Sequence, residues 1–275
     1  MDTLTLSSFE AAHLAGALKL SRAVSWPHRM EDWALLLSLS QGVVILDGEA
    51  VLATTLVTPM GQVATVSMII VDAARRGAGL GRRVMEAAMA RISLQEWRLV
   101  ATQDGLPLYE RMGFEAYGEI LQHQGIAKPL ASDLPLPPLA DEADLAALTA
   151  LDRAATGMER PKLFATLLAE GRIVVRREEG RVVAFATQRH FGHGVVIGPV
   201  IARDLAEAQA LIDPLVAACA GQFVRIDLDA DCGLAPWAAA RGLACVGGGV
   251  KMRKGTIIES TGPQKRFALA AQSLG

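Results

Sequence analysis

The chain of 275 residues reads as an α/β protein built from two similar halves in tandem, and three observations predict it. First, the almost wholly apolar run from Val63 to Val71 follows a hairpin pattern. It leads through a glycine-rich turn into an amphipathic segment, as expected of a strand buried on both faces and crossed over by a helix. Second, the same order of segments recurs about 130 residues later, a spacing that suits a duplicated domain better than a solenoid repeat. Third, residues 131–140 carry Pro135, Pro137 and Pro138, which cannot occupy a helix interior or a central strand.

The elements follow in order. Leu4–Leu6 reads as a short strand, Phe9–Leu20 as a helix, and Met30–Leu39 as a second helix carrying Trp33. Residues 42–46 and 50–57 flank Asp47–Gly48, a hairpin turn signal. The buried strand 63–71 is followed by a helix over Leu80–Ile92, a strand over Arg98–Thr102 and a short helix over Leu106–Met112 stopped by Gly113. Strand character resumes over Phe114–His123. In the second half, residues 179–187 echo 47–55, and Val195–Ala202 stands where the buried strand stood. Residues 224–228 and 237–243 echo 98–102 and 108–114. The expected division is a domain over 1–130, a linker over 131–140 and a domain over 141–275.

Composition narrows the function classes. Lys plus Arg total 27 against 29 Asp plus Glu, a net charge of −2, which is not the basic balance of a nucleic-acid partner. No apolar run approaches the ~18 residues of a membrane span. The start, MDTLTLSSFE, is acidic where a signal peptide is basic. Cys219, Cys232 and Cys245 lie late in the chain without metal-ligand spacing and read as reduced thiols. A cytoplasmic protein without metal, membrane or nucleic-acid partner is expected; the oligomeric state is left open.

The chemistry concentrates in VDAARRGAGLGRRVM, residues 71–85. A phosphate loop of the Walker type needs Gly-Lys-Ser/Thr, but Arg82 follows Gly81. The dinucleotide fingerprint fits poorly, because the third glycine comes one residue early and a hairpin precedes the strand, although Asp104 lies near the place of a ribose-binding acid. An anion-binding turn at a helix N-terminus fits best: backbone N–H groups from Gly77 to Arg82 point at the ligand, and glycines let it approach. Arg75, Arg76, Arg82 and Arg83 add cations suited to several phosphates.

Arg76–Gly81, RGAGLG, matches the Arg/Gln-x-x-Gly-x-Gly/Ala signature of the GNAT superfamily, and LYERMGF at 108–114 resembles its second landmark. The second half is similar to the GNAT-like C-terminal domain of some tandem members, through 197–204 and 247–255. The resemblance implies an α/β (α+β) fold with a mixed sheet, two acyl-CoA N-acyltransferase domains in tandem, and acetyl-CoA as co-substrate. It implies that Arg76, Gly77, Ala78, Gly79, Leu80, Gly81 and Arg82 hold the pyrophosphate. The buried strand would splay from its neighbour at 98–102, leaving Ile69, Ile70 and Val71 to pair with the pantetheine amides. Tyr109 matches the general acid that faces the departing thiolate, after direct attack of a primary amine on the thioester. No metal takes part.

The general base is not legible. Some members carry a glutamate on the strand before the turn, and 63–71 has none. His28, Asp32, Asp104, His123 and a water relayed by Ser67 are candidates. Each has a plainer reading: His28 and Asp32 as caps of the second helix, Asp104 as cap of the following one, and His123 at the surface. Trp26 and Trp33 border the acceptor side in relatives or simply pack. In the second half Glu207 falls near the place of Arg76, and Ala238 at that of Tyr109. That half is therefore expected to wall the acceptor cleft rather than bind acetyl-CoA. A non-catalytic acyl-CoA-binding or regulatory module is the alternative, separable by turnover.

Overall fold

A computed structural model describes residues 4–129 and 135–275. The first half contributes β1 (Thr5–Ser8), α1 (Leu14–Ala23), α2 (Met30–Leu39), β2 (Gln41–Asp47), β3 (Ala50–Met60), β4 (Val63–Val71), α3 (Leu80–Met89), β5 (Glu96–Ala101), α4 (Leu106–Arg111) and β6 (Glu115–Ile126). The second contributes α5 (Leu145–Thr156), α6 (Pro161–Glu170), β7 (Arg172–Glu178), β8 (Arg181–Phe191), β9 (Gly194–Ala202), α7 (Leu205–Ala217), β10 (Phe223–Asp229), α8 (Ala235–Ala240), β11 (Ala244–Gly255) and β12 (Lys265–Ala268). Three helices differ from expectation at their ends, α4 stopping one residue early at Arg111. A 3-10 turn over Ala11–His13 precedes α1, which runs on to Ala23, and α3 stops at Met89 rather than Ile92.

Each half repeats one plan. An antiparallel meander (β2–β3–β4, then β7–β8–β9) leads through a helix to a parallel strand, β5 beside β4 and β10 beside β9. On one face, α3 covers β2–β4 with Leu80, Val84 and Met85 buried, and α7 covers the second half with Leu211, Ile212 and Leu215. The other core is common to both halves. Trp33, Leu36, Leu56 and Met60 share it with Leu148, Met158, Phe164 and Phe185.

The sheet is where the halves interlock. The described strands run β1-β2-β3-β4-β5-β11-β6-β10-β12-β9-β8-β7. Strand β11, from the second half, lies between β5 and β6 of the first, and β6 pairs in turn with β10. Gly248 makes the β11–β6 approach possible: its φ is +157°, and a Cβ there would stand 1.8 Å from the Ile120 carbonyl oxygen. The sheet therefore runs across the division expected at 131–140. Residues 131–134 of the proline-rich segment lie outside the described residues; within the rest, Pro138 and Ala140 hydrogen-bond along β7.

Candidate active site

The cleft begins where a ladder stops. Strands β4 and β5 pair over Val63–Thr65 and Glu96–Arg98 and then diverge. A bulge on the other edge of β4 turns the strand away: Thr54 pairs with Ile70 and Leu56 with Ser67, while Met68 takes a φ of +53° and its carbonyl accepts from Thr54 Oγ1 at 2.7 Å. The β5-facing backbone of Ile69, Ile70 and Val71 thus lies beyond the ladder, open to pairing by an amide-bearing ligand.

The glycine turn closes the end of this gap. Asp72 caps a 3-10 turn, Ala73–Arg75, through a 2.9 Å bond from the Ala74 N–H. Gly77 and Gly79 then take φ of +82° and +75°, and a Cβ on either would meet nothing within 4 Å. These two supply left-handed backbone and an unobstructed surface. Gly79 is also the N-cap of α3 and offers no side chain to its first turn, so the helix start is free for an anion. Gly81 differs from the expectation that all three glycines keep side chains off the ligand. Its Cβ would lie 3.3 Å from Leu108 and 3.5 Å from Val71, so it serves close packing of α3 on α4 and β4. Ala78, Arg76 and Arg82 are exposed around the turn; Arg82 also pairs with Glu86 at 2.6 Å, and Arg75 with Asp47 at 3.1 Å.

Where the strands part, a cavity of about 230 Å³ opens. Its first-half lining includes Ser67 and Ile69 of β4, Val100 at the end of β5, Tyr109 of α4, and His28 before α2. Its second-half lining includes Phe191, Arg225, Gly248 and Gln272. Tyr109 is 6% exposed, with its ring edge-on to Phe114 and so near Gly105 that a Cβ there would lie 2.8 Å from it. Burial pushes its phenol up to about 12. The Ser67 hydroxyl is buried without a hydrogen-bond partner among the described residues, and so is His28 Nδ1.

The other candidates separate. Asp32 caps α2 as expected, accepting the Arg29 N–H at 2.8 Å, and it also takes the Gly192 N–H from the second half at 3.1 Å. These bonds and the Arg29 guanidinium outweigh burial and hold its carboxyl below the usual range, so it is an anchor. His28 is not a cap. It packs among Trp26, Trp33 and Phe191, and burial, with Arg225 and Arg189 nearby, pushes it down to about 4. Asp104 is exposed and caps nothing; Thr102 Oγ1 accepts the Gly105 N–H instead. His123, expected at the surface, is 2% exposed within β6. Trp33 is a core residue whose indole donates to Ser21 Oγ, while Trp26 borders the cavity. Among the described residues no cluster of metal-ligating side chains occurs.

Two families, each described as acetyltransferase (GNAT) domain, match the chain, one over residues 38–116 and the other over 148–264. The chain belongs to the GNAT superfamily. It is a tandem, GNAT-type N-acetyltransferase. Among relatives, it is 29% identical over 231 residues to the uncharacterized N-acetyltransferase YitH of Bacillus subtilis (strain 168), covering 80% of each chain. Among solved structures, a candidate acetyltransferase of Pyrococcus horikoshii superposes with a TM-score of 0.82 at 16% identity, over 100% of this chain and 97% of that one. A GCN5-related N-acetyltransferase of Sphaerobacter thermophilus gives 0.66 at 17%, over 95% and 99%. These structural likenesses concern the fold.

The second GNAT half has lost the gap that the first keeps. Its parallel pair, β9 and β10, is registered over Val195–Ile197 and Val224–Ile226. Beyond that, β12 enters the opening and pairs with both strands: Lys265, Arg266 and Ala268 with β9, and Ala268 with Leu228 of β10. The chain fills its own groove. At the corresponding helix start Asp204 caps α7 at 2.8 Å, and the buried Glu207 carboxylate receives Arg176 and Arg203. After β12, residues 271–273 turn into the wall of the first half's cavity, where the Ser273 carbonyl accepts from Thr65 Oγ1 at 3.1 Å. Sequence reasoning missed this segment together with Phe191, Arg225 and Gln272. Their pattern carries no motif; only long-range pairing brings them to the site.

Proposed function

We propose that the chain acetylates a primary amine with acetyl-CoA, the amine being held in the cavity between the two halves. The observation that carries this is the continuity of an anion-receptive helix start, an unladdered strand edge and a cavity bordered by a buried tyrosine. When bound, acetyl-CoA supplies a thioester carbon that the amine nitrogen attacks, the C–S bond breaking as the N–C bond forms and the sulfur leaving with the electron pair. The backbone from Gly77 to Arg82 binds pyrophosphate, with Arg76 and Arg82 adding charge, and Ile69, Ile70 and Val71 pair with the pantetheine amides. Catalysis rests mainly on holding amine and thioester in attack geometry.

Tyr109 keeps its proton at every working pH and donates a hydrogen bond to the departing sulfur. A phenol held at about 12 against a free thiol near ~8.5 makes outright transfer uphill, so the hydroxyl stabilises the thiolate, which takes its proton from the spent amine through solvent. His28, at about 4, is far too weak a base for an ammonium of pKa ~10.4. The amine therefore reacts from its neutral fraction, with Ser67 Oγ as hydrogen-bond acceptor, and the rate climbs with pH through neutrality. Residues 1–130 supply the acetyl-CoA chemistry, and residues 141–275 supply the acceptor wall. A cytoplasmic setting accords with three free cysteines; no helix among the described residues is long and apolar enough to cross a membrane. The test is release of free thiol from acetyl-CoA across a panel of primary amines. Binding of acetyl-CoA without thiol release from any of them rejects the proposal.

A further inference from the structure

The cavity is electrostatically one-sided. Arg225 is the single formally charged side chain lining it among the described residues, and no carboxylate lines it. Arg225 Nε and Nη2 bind Asp227 at 3.0–3.2 Å, and Gln272 Nε2 donates to the same carboxylate at 3.0 Å. Those bonds fix the guanidinium, while Nη1 has no hydrogen-bond partner among the described residues. Behind it, Arg189 is 6% exposed, its Nε is unpartnered, and it lies 3.7 Å from Asp32, a carboxylate already held by Arg29. Phe191 packs between the two, each guanidinium 5.2 Å from its ring centre. The two buried guanidinium groups (Arg189, Arg225) are matched by two buried carboxylates (Asp32, Asp227), but Asp32 is shared with the Arg29 guanidinium and Asp227 binds only the Nε and Nη2 edge of Arg225, so Nη1 is left to the cavity. The same field contributes to the depression of His28.

A guanidinium edge that faces an enclosed cavity is matched best by an anionic partner. An acceptor that is only a cation, such as a polyamine, would meet Arg225 and no carboxylate there. Building on the acetyl-transfer reading above, we propose that the acceptor is a small amine that also carries a carboxylate, the carboxylate binding Arg225 Nη1 from the second half while the amino group faces Ser67 and Tyr109 from the first. The cavity volume of about 230 Å³, below the usual ~300–1,000 Å³ of drug-sized sites, suits a molecule of amino-acid size. This also gives the second half a chemical reason to be present: it carries the specificity-determining cation.

The test compares amino acids with their carboxamides and their decarboxylated amines on the full chain, by thiol release and by thermal stabilisation of the acetyl-CoA-loaded protein. A charged hydrogen bond predicts a preference of about 10- to 100-fold in kcat/KM for the carboxylates, and stabilisation by them alone. Arg225→Gln should reduce the preference to within about threefold while acetyl-CoA affinity stays as it was. Should that variant not fold, the comparison on the unaltered chain decides. Carboxamides turned over as well as amino acids, or full preference kept in Arg225→Gln, overturn this proposal and leave acetyl transfer standing. Carboxylate-selective stabilisation without thiol release does the reverse.

Discussion

Replacing Tyr109 with Phe isolates the hydroxyl, because the ring's packing against Phe114 and over Gly105 survives the change. A hydrogen bond from a neutral donor to a charged acceptor is worth about 1.5–3 kcal/mol. At 1.36 kcal/mol per decade, kcat should fall about 10- to 150-fold. Full general-acid catalysis would allow about 10²–10⁴-fold, but a phenol held at about 12 argues for the lower range. Acetyl-CoA affinity should be unchanged, since neither the glycine turn nor β4 is touched. Stability should change little, because a desolvated hydroxyl contributes small net energy. Initial rates of thiol release, calorimetric acetyl-CoA titration and a urea melt read the three quantities. Unchanged turnover would return Tyr109 to packing; a fall in kcat matched by a large loss of stability would mean the hydroxyl is structural. Gly105→Ala gives a second view, displacing the ring by crowding it at 2.8 Å, and should lower kcat in the same direction.

Acetyl-CoA should bind at one site per chain, because β12 and Glu207 occupy the second groove; Gly79→Asp, combining a strained φ of +75° with a misplaced carboxylate, should weaken binding about 10²-fold or more, and a calorimetric stoichiometry of two would refute the assignment. His28 is held at about 4 against ~6.5 when unfolded, so the unfolded chain alone takes up a proton between those values and stability falls as pH drops through that window, by up to about 3 kcal/mol. Urea melts at pH 7 and 4.5 should show His28→Phe losing less than the unaltered chain by roughly that amount, and parallel losses would discard the buried-histidine account. Residues 1–130 expressed alone lack β11 beside β5 and both neighbours of β6, so no cooperative thermal transition is expected; a sharp one would mean the halves fold independently despite sharing a sheet.

Much of this molecule was legible because it is local. The Asp47–Gly48 hairpin, the apolar run of β4, the glycine turn and the Gly113 stop depend on backbone preference and period, and these act over a few residues. The glycine turn proposed to bind pyrophosphate was readable for the same reason: the N–H groups it would use are consecutive, and Gly77 and Gly79 set their geometry. The echo of 47–55 in 179–187 became β2–β3 and β7–β8. What tertiary structure decided involves partners far apart in the chain. Strand β11 lies beside β5 of the first half rather than beside β10, and its glycines are the local trace of that choice: a Cβ at Gly249 would stand 2.7 Å from the Ala101 carbonyl oxygen, and one at Gly255 2.1 Å from that of Gln95. No spacing rule announces that β12 fills the second groove, that His28 packs against Phe191, or that Arg225 ends in the first half's cavity. Strand pairing and burial are energies of the assembled sheet, so a sequence declares which segments can pair, while only the folded whole selects which ones do.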